Sequence, residues 1–180
     1  MNNMLNYKEI SRIKLAYTKN QNIMKILRSK NKTHLNSPEM ILYSYDLQSG
    51  SYLKKLKNLK FRSYKKKLGV RISKIISELH VETILEAGVG EASTLYDVMN
   101  SKLLKKSKFL GFDISLSRLL YAQKYLSKLQ KYSTLFCSEL CDIPLKDNSI
   151  DLTYTFHAIE PNHGREITIL GDYQLFTPNT

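Results

Sequence analysis

The stretch TILEAGVGEAS at residues 83–93 constrains this chain more than any other. A short apolar run, Ile84 and Leu85, ends in the carboxylate of Glu86. Two glycines one residue apart, Gly88 and Gly90, and a hydroxyl-bearing helix start follow. Glycines between a strand and a helix mark a backbone that turns tightly or approaches a ligand closely. The surrounding order of elements has to decide between those two readings.

That order is regular. ETILEAG predicts a strand and Ala92 to Asn100 a helix. KFLGFDI (108–114) predicts a second strand. Ser115 then caps a helix running to Gln130, with Leu116, Leu119, Leu120 and Leu126 on its apolar face. STLFCSEL (133–140) and IDLTYTFHAI (150–159) are rich in β-formers and predict a third and a fourth strand. Between them Asp147-Asn148-Ser149 reads as a turn that Asp151 orders. Strands alternating with helices imply a parallel α/β sheet, whose ligands sit beyond the carboxyl ends of the strands. The glycines fall where that rule wants them.

The first part of the chain differs in texture. Residues 7–28 predict one amphipathic helix, with Ile10, Ile13, Tyr17, Ile23 and Leu27 at helical spacing. Residues 29–38 read as a polar linker, and Ser37-Pro38-Glu39 as a capped helix start. Ser49-Gly50 breaks that helix. A further basic helix, Arg62 to Leu79, is expected to bury Leu68, Ile72, Ile75, Ile76 and Leu79. The division expected is therefore 1–79, a basic helical N-terminal extension, and 80–180, the α/β domain.

Charge follows the same division. The net charge is +12, but residues 1–74 hold 18 Lys and Arg against 3 Asp and Glu, whereas residues 75–180 hold 10 against 13. Two readings stay open: lysines displayed on solvated helix faces, or a contact with RNA through residues 1–74. No run reaches the ~18–20 apolar residues a membrane span requires. Met1 to Glu9 is polar and unlike a secretory signal, and only two cysteines occur, so a cytoplasmic setting is expected. Cys137 is expected to be a strand-buried thiol and Cys141 to lie in the following loop.

Three acids narrow the ligand. Glu86 closes the first strand, Asp113 closes the second 23 residues after Gly90, and Glu139 closes the third. A diphosphate would be repelled by Glu86, and Ser93 stands where the third glycine of G-x-G-x-x-G belongs. S-adenosylmethionine has no phosphate and brings an ammonium and a sulfonium that a carboxylate favours. Asp113 suits bidentate acceptance from two ribose hydroxyls, and Glu139 suits an adenine amino group. Ala87, Ile114 and Leu140, beside these acids, complete the expected cofactor contacts. Each acid also has a plainer reading as a turn, helix-flanking or surface carboxylate.

On these residues the chain resembles the class I S-adenosylmethionine-dependent methyltransferases, in particular the type 11-like group. EAGVGEA matches (D/E)-x-G-x-G-x-G except for Ala92 at the last glycine. LGFDIS resembles the second motif. CSELCDIPLKDNSIDLTYTFHAIE resembles a third, with Ser138-Glu139 in place of Gly-Asp. The resemblance covers about residues 80–165, and YDLQSGSY (45–52) is similar to the lid region of some relatives. It implies a Rossmann-like class I methyltransferase sheet, its first four strands readable, with an N-terminal helical extension. It implies S-adenosylmethionine as cofactor and methyl transfer to an acceptor, a small molecule or glycan being favoured. An RNA methyltransferase using residues 1–74, and a non-catalytic remnant or partner subunit that keeps the cofactor site, remain alternatives. A nicotinamide oxidoreductase is disfavoured by Glu86.

His157, at the carboxyl end of the fourth strand, is the candidate base or substrate-orienting residue. His157, Glu160 and His163 share an H-x2-E-x2-H spacing, but a strand-end loop does not hold it in one geometry, and no metal is expected. HAIEPN lacks the (N/D)-P-P-(Y/F) motif of enzymes acting on planar amino groups. The family has seven strands, whereas 23 residues follow His157, and GREITILGDYQLFTPNT loses its pattern. The expectation is a C-terminally incomplete domain. Its fourth-strand edge would be covered by self-association or a partner chain.

Overall fold

In a computed structural model, residues 6–162 are described. Five helices come first: α1 (Tyr7–Thr18), α2 (Ile23–Asn31), α3 (Pro38–Leu47), α4 (Ser51–Lys55) and α5 (Leu59–Glu78). Then β1 (Thr83–Ala87), α6 (Leu95–Met99), β2 (Lys108–Asp113), α7 (Leu116–Tyr125), β3 (Ser133–Cys137) and β4 (Leu152–Thr155) alternate as expected. The four strands form one parallel sheet in the order β3-β2-β1-β4. The strand order reverses between β1 and β4, so the crevice of such a sheet opens at the carboxyl end of β1.

Both faces of the sheet are covered, as a parallel sheet requires. Ile84 and Phe109 pack with Val98, Leu119 and Leu126 on the side of α5, α6 and α7. Leu85, Ala87 and Phe112 pack on the other side with Leu140 and Ile150 from the β3–β4 connection. Asp151 does more than order its turn: its Oδ2 accepts the Glu82 and Thr83 amides at 3.0 and 2.7 Å, fixing the start of β1. A separate small core, Ile13, Ile23, Leu27 and Met40, holds α1, α2 and α3 together.

Several helix boundaries differ from the sequence reading. Residues 7–28 are two helices, because Asn20 is left-handed at φ 56° and Asn22 caps α2 through the Lys25 amide. Short amide side chains tolerate that conformation and compete with the helix for backbone donors. The Ala92–Asn100 helix shortens to Leu95–Met99, and the third and fourth strands end at Cys137 and Thr155. In α7 the buried residues are Arg118, Leu119 and Ala122, while Leu116 and Leu120 are exposed. The helix stops at Tyr125 and does not reach Gln130, so Leu126 is buried from the turn beyond it. Cys137 is exposed and Cys141 half-buried, reversing the expectation for the strand thiol, and neither is in a disulfide.

Helix α5 buries Lys65, Gly69, Ser73 and Ile76, whereas Ile75 and Leu79 are exposed. Close approach to α6, not side-chain size, selects this face. A Cβ on Gly69 would lie 2.4 Å from Asp97 Cβ. Ser73 Oγ donates to the Gly69 carbonyl at 2.7 Å, and Arg62 is paired with Asp97 at 3.1 Å.

Candidate functional site

The carboxyl ends of β1, β2 and β3 open into a small cavity that adjoins a wider, more open cleft. The smaller cavity is lined by Phe112, Asp113, Ile114, Ser138, Glu139 and Leu140, with Ile41 and Tyr45 opposite. Glu86, Gly88, Val89 and Gly90 line the wider cleft, facing Lys65, Tyr52 and Glu160. Gly88, Tyr45, Arg118 and His157 border both. Of the residues singled out in the sequence, Glu86, Gly88, Gly90, Asp113, Ile114, Glu139, Leu140 and His157 are thus brought together. Ala87 is fully buried beneath, packed against Phe112 and Leu140.

The glycine turn is built around Asp113. The Gly90 amide donates to Asp113 Oδ2 and the Ser115 amide to Oδ1, each at 2.9 Å. Arg118 lies 4.0 Å from Oδ2. Gly90 is left-handed at φ 56°, and a Cβ there would meet Arg118 Nη2 at 2.6 Å. Gly88, also left-handed, would clash with Ala158 at 2.2 Å. Gly88 therefore excludes a side chain on two counts, and Gly90 chiefly through its left-handed backbone, since the Arg118 tip can shift. Burial pushes the Asp113 carboxyl above its ordinary value, opposed by Arg118 and the two amides.

Ala92, at the motif's last glycine, keeps the left-handed backbone at φ 57° although it carries a buried methyl group. Such a backbone costs an L-residue roughly 1–2 kcal/mol. Ala92→Gly is therefore expected to stabilise the chain by about 1 kcal/mol in denaturant titration, despite losing the methyl. A loss of stability would show that packing outweighs the backbone term.

Glu86 is 2% exposed and accepts the Tyr154 hydroxyl at 2.8 Å. The two residues are register partners across β1 and β4, so their side chains share a face. Burial raises the Glu86 carboxyl to about 7; Tyr154 and the nearby Lys65 act in the opposite sense. Burial holds Lys65 below its ordinary value, and its ammonium donates to Thr94 Oγ1.

The N-terminal helices form the outer wall. Glu91 is 1% exposed and accepts from the Gly50 and Leu53 amides at 2.9 and 2.8 Å, tying the start of α4 to the glycine turn. Asp46 accepts from Ser115 and Ser117 at 2.5 and 2.6 Å. The Arg118 guanidinium lies over the rings of Tyr45 and Tyr52, at 4.9 and 5.3 Å. Burial pushes the Tyr45 phenol up to about 12, so it stays protonated. The sequence reading missed Lys65, Glu91, Arg118 and Tyr154. Only Tyr154 left a signal there, as the central aromatic of a predicted strand.

His157 lies two residues beyond β4, in a left-handed turn at φ 58°. It is well exposed, and its Nδ1 is 2.9 Å from Glu160 Oε1. His163 and the segment GREITILGDYQLFTPNT fall outside the described residues. Among the described residues, no three His, Cys, Asp or Glu side chains converge as a metal site would need. No described helix is long and apolar enough to cross a membrane.

A family profile described as a methyltransferase domain, type 11, matches residues 85–165, the stretch that builds the turn and the cavity. No curated protein sequence matches the chain. Among solved structures, the small RNA methyltransferase HEN1 is 22% identical with a TM-score of 0.55, over 63% of this chain and 15% of that one. The methyltransferase domain of bacterial-CtHen1-CN is 20% identical with a TM-score of 0.51, over 62% of this chain and 58% of that one. The [4+2]-cyclase SpnF is 13% identical with a TM-score of 0.50, over 59% and 40%. At these identities the likeness is one of fold, and the cyclase shows that the fold alone does not decide the reaction. The chain spans between 15% and 58% of the length of these three structures. Residues 85–165 thus match a methyltransferase-domain family profile, and the chain shares its fold with solved methyltransferase domains.

Proposed function

We propose that the chain binds S-adenosylmethionine in this cleft and transfers its methyl group to a small-molecule or glycan acceptor. The observation that carries the reading is three acids, Glu86, Asp113 and Glu139, at adjacent strand ends around one continuous opening. Asp113 keeps lone pairs for ribose hydroxyls beyond the two amides it already accepts. Ile114, Phe112 and Leu140 offer apolar walls to an adenine ring, and Glu139 borders them. Glu86 and Lys65 stand together in the wider cleft, a carboxylate for an ammonium and an ammonium for a carboxylate, which suits an amino-acid end.

The cofactor supplies a methyl group activated on a sulfonium. What remains for the protein is to orient an acceptor and, for a hydroxyl or protonated amine, to take its proton. His157 is the group proposed for that step. Glu160 at its Nδ1 orients the ring and leaves Nε2 as the nitrogen to take the proton. Radiolabelled S-adenosylmethionine incubated with the chain and a fractionated cell extract tests this. Label is expected in the small-molecule or glycan fraction and to fall about 10²-fold or more with His157→Ala, at unchanged S-adenosylhomocysteine binding. Label confined to RNA would replace the acceptor class. Binding without any transfer would favour the non-catalytic reading.

A further inference from the structure

Helix α5 has a second face that the cleft does not use. Lys65, Gly69, Ser73 and Ile76 point inward, and on the opposite side Lys60, Tyr64, Lys67, Arg71 and Lys74 recur at alternating steps of four and three. At 1.5 Å per residue, this row runs about 21 Å along one side of the helix. All five residues are exposed, Tyr64 by 54%. Among the described residues, none of the four cations is in an ion pair. Glu78 is the helix's one acidic residue and lies in its last turn. The 3-10 turn Lys102–Leu104 packs beside α5, and Leu104 joins the same core as Ile76.

Two aromatics, Phe61 and Tyr64, stand among these cations in the stretch KFRSYKKK (60–67). Their ring centroids lie 6.4 Å apart at 36°, and Tyr64 stands between Lys60 and Lys67 on the open side. Cations that track a backbone, with an exposed ring among them, are what a single-stranded polynucleotide requires. An anionic bilayer asks for something else. An interfacial helix sinks its buried-type face into the lipid, and that face of α5 is committed to α6 and the sheet core.

We propose that the outer face of α5 docks a single-stranded polynucleotide, phosphates lying on Lys60, Lys67, Arg71 and Lys74 and a base stacking on Tyr64. The row faces away from Lys65 and the cleft, so it is a docking surface independent of the acceptor pocket and of the cofactor reading.

The test is fluorescence anisotropy of labelled oligo(U) and oligo(dT) against the full chain, across a salt series. Four phosphate contacts predict a slope of log affinity against log salt of about −3. Lys67→Ala/Arg71→Ala is expected to reduce that slope by about 1.4 and weaken binding at least tenfold at low salt. Tyr64→Ala is expected to weaken binding about tenfold with the slope unchanged. S-adenosylhomocysteine binding should survive in each variant, which separates this surface from the cleft. Comparable affinity for the two oligonucleotides supports the proposal, since phosphates and base faces are common to both. Absence of binding, binding insensitive to these substitutions, or equal capture by phosphatidylserine vesicles would each overturn it.

Discussion

Replacing Asp113 with alanine is expected to lower the stability of the chain by about 3–5 kcal/mol, measured by denaturant titration. Three groups lose their partner at once. The Gly90 and Ser115 amides would be buried without acceptors, and Arg118, itself buried, would keep its charge without its neighbouring carboxylate. Leaving such groups unsatisfied costs more than the mean value of the bonds they made. Burial already disfavours the charged Asp113, which offsets part of the loss. Asp113→Asn separates stability from binding. An amide has one acceptor oxygen, so it serves Gly90 or Ser115 but turns an N–H toward the other. Its expected cost is about 1–3 kcal/mol, with a folded chain that no longer binds S-adenosylhomocysteine. An Asp113→Ala chain as stable as the parent would mean that the turn is held by something other than this carboxylate.

The second large effect concerns pH. Burial raises Glu86 from an ordinary 4.5 to about 7 in the folded chain. Between those values the folded state holds a proton that the unfolded chain has released, so stability falls as pH rises through the window. The full difference, reached above pH 7, is about 3 kcal/mol. Asp113, raised in the same direction, adds a loss of the same sign; Lys65 and Tyr154 are the other titratable groups against Glu86. Denaturant titrations at pH 5 and pH 8 should show the more stable chain at the lower pH, and Glu86→Gln should flatten the difference. Binding of the cationic cofactor should run the other way, tightening up to about pH 7 as Glu86 ionises and then levelling off. A parent whose stability rises from pH 5 to pH 8 would contradict the buried, protonated Glu86.

Why the strand ends were legible in the sequence, while of the outer wall only YDLQSGSY (45–52) was, has a physical reason. Glu86, Asp113 and Glu139 each close a β-rich run, and in a parallel sheet the ends of adjacent strands must converge. Their neighbourhood therefore follows from local pattern and topology alone. Lys65, Glu91 and Arg118 reach the cleft only through tertiary packing. Lys65 depends on α5 closing onto α6 through Gly69 and Ser73, small residues that an apolar-periodicity reading places on the wrong face. Glu91 follows the glycines in sequence, but its partners, the Gly50 and Leu53 amides, lie about forty residues away. The misread helix of residues 7–28 is a local failure. Its apolar spacing is helical throughout, and the left-handed Asn20 interrupts it without disturbing that spacing.

Calorimetric titration of the folded chain with S-adenosylhomocysteine, beside the Asp113→Asn variant, tests the central claim most directly. The cleft described here predicts saturable one-to-one binding by the parent and its loss in the variant. A folded parent that takes up no S-adenosylhomocysteine, or a variant that binds it as well as the parent, would contradict the claim.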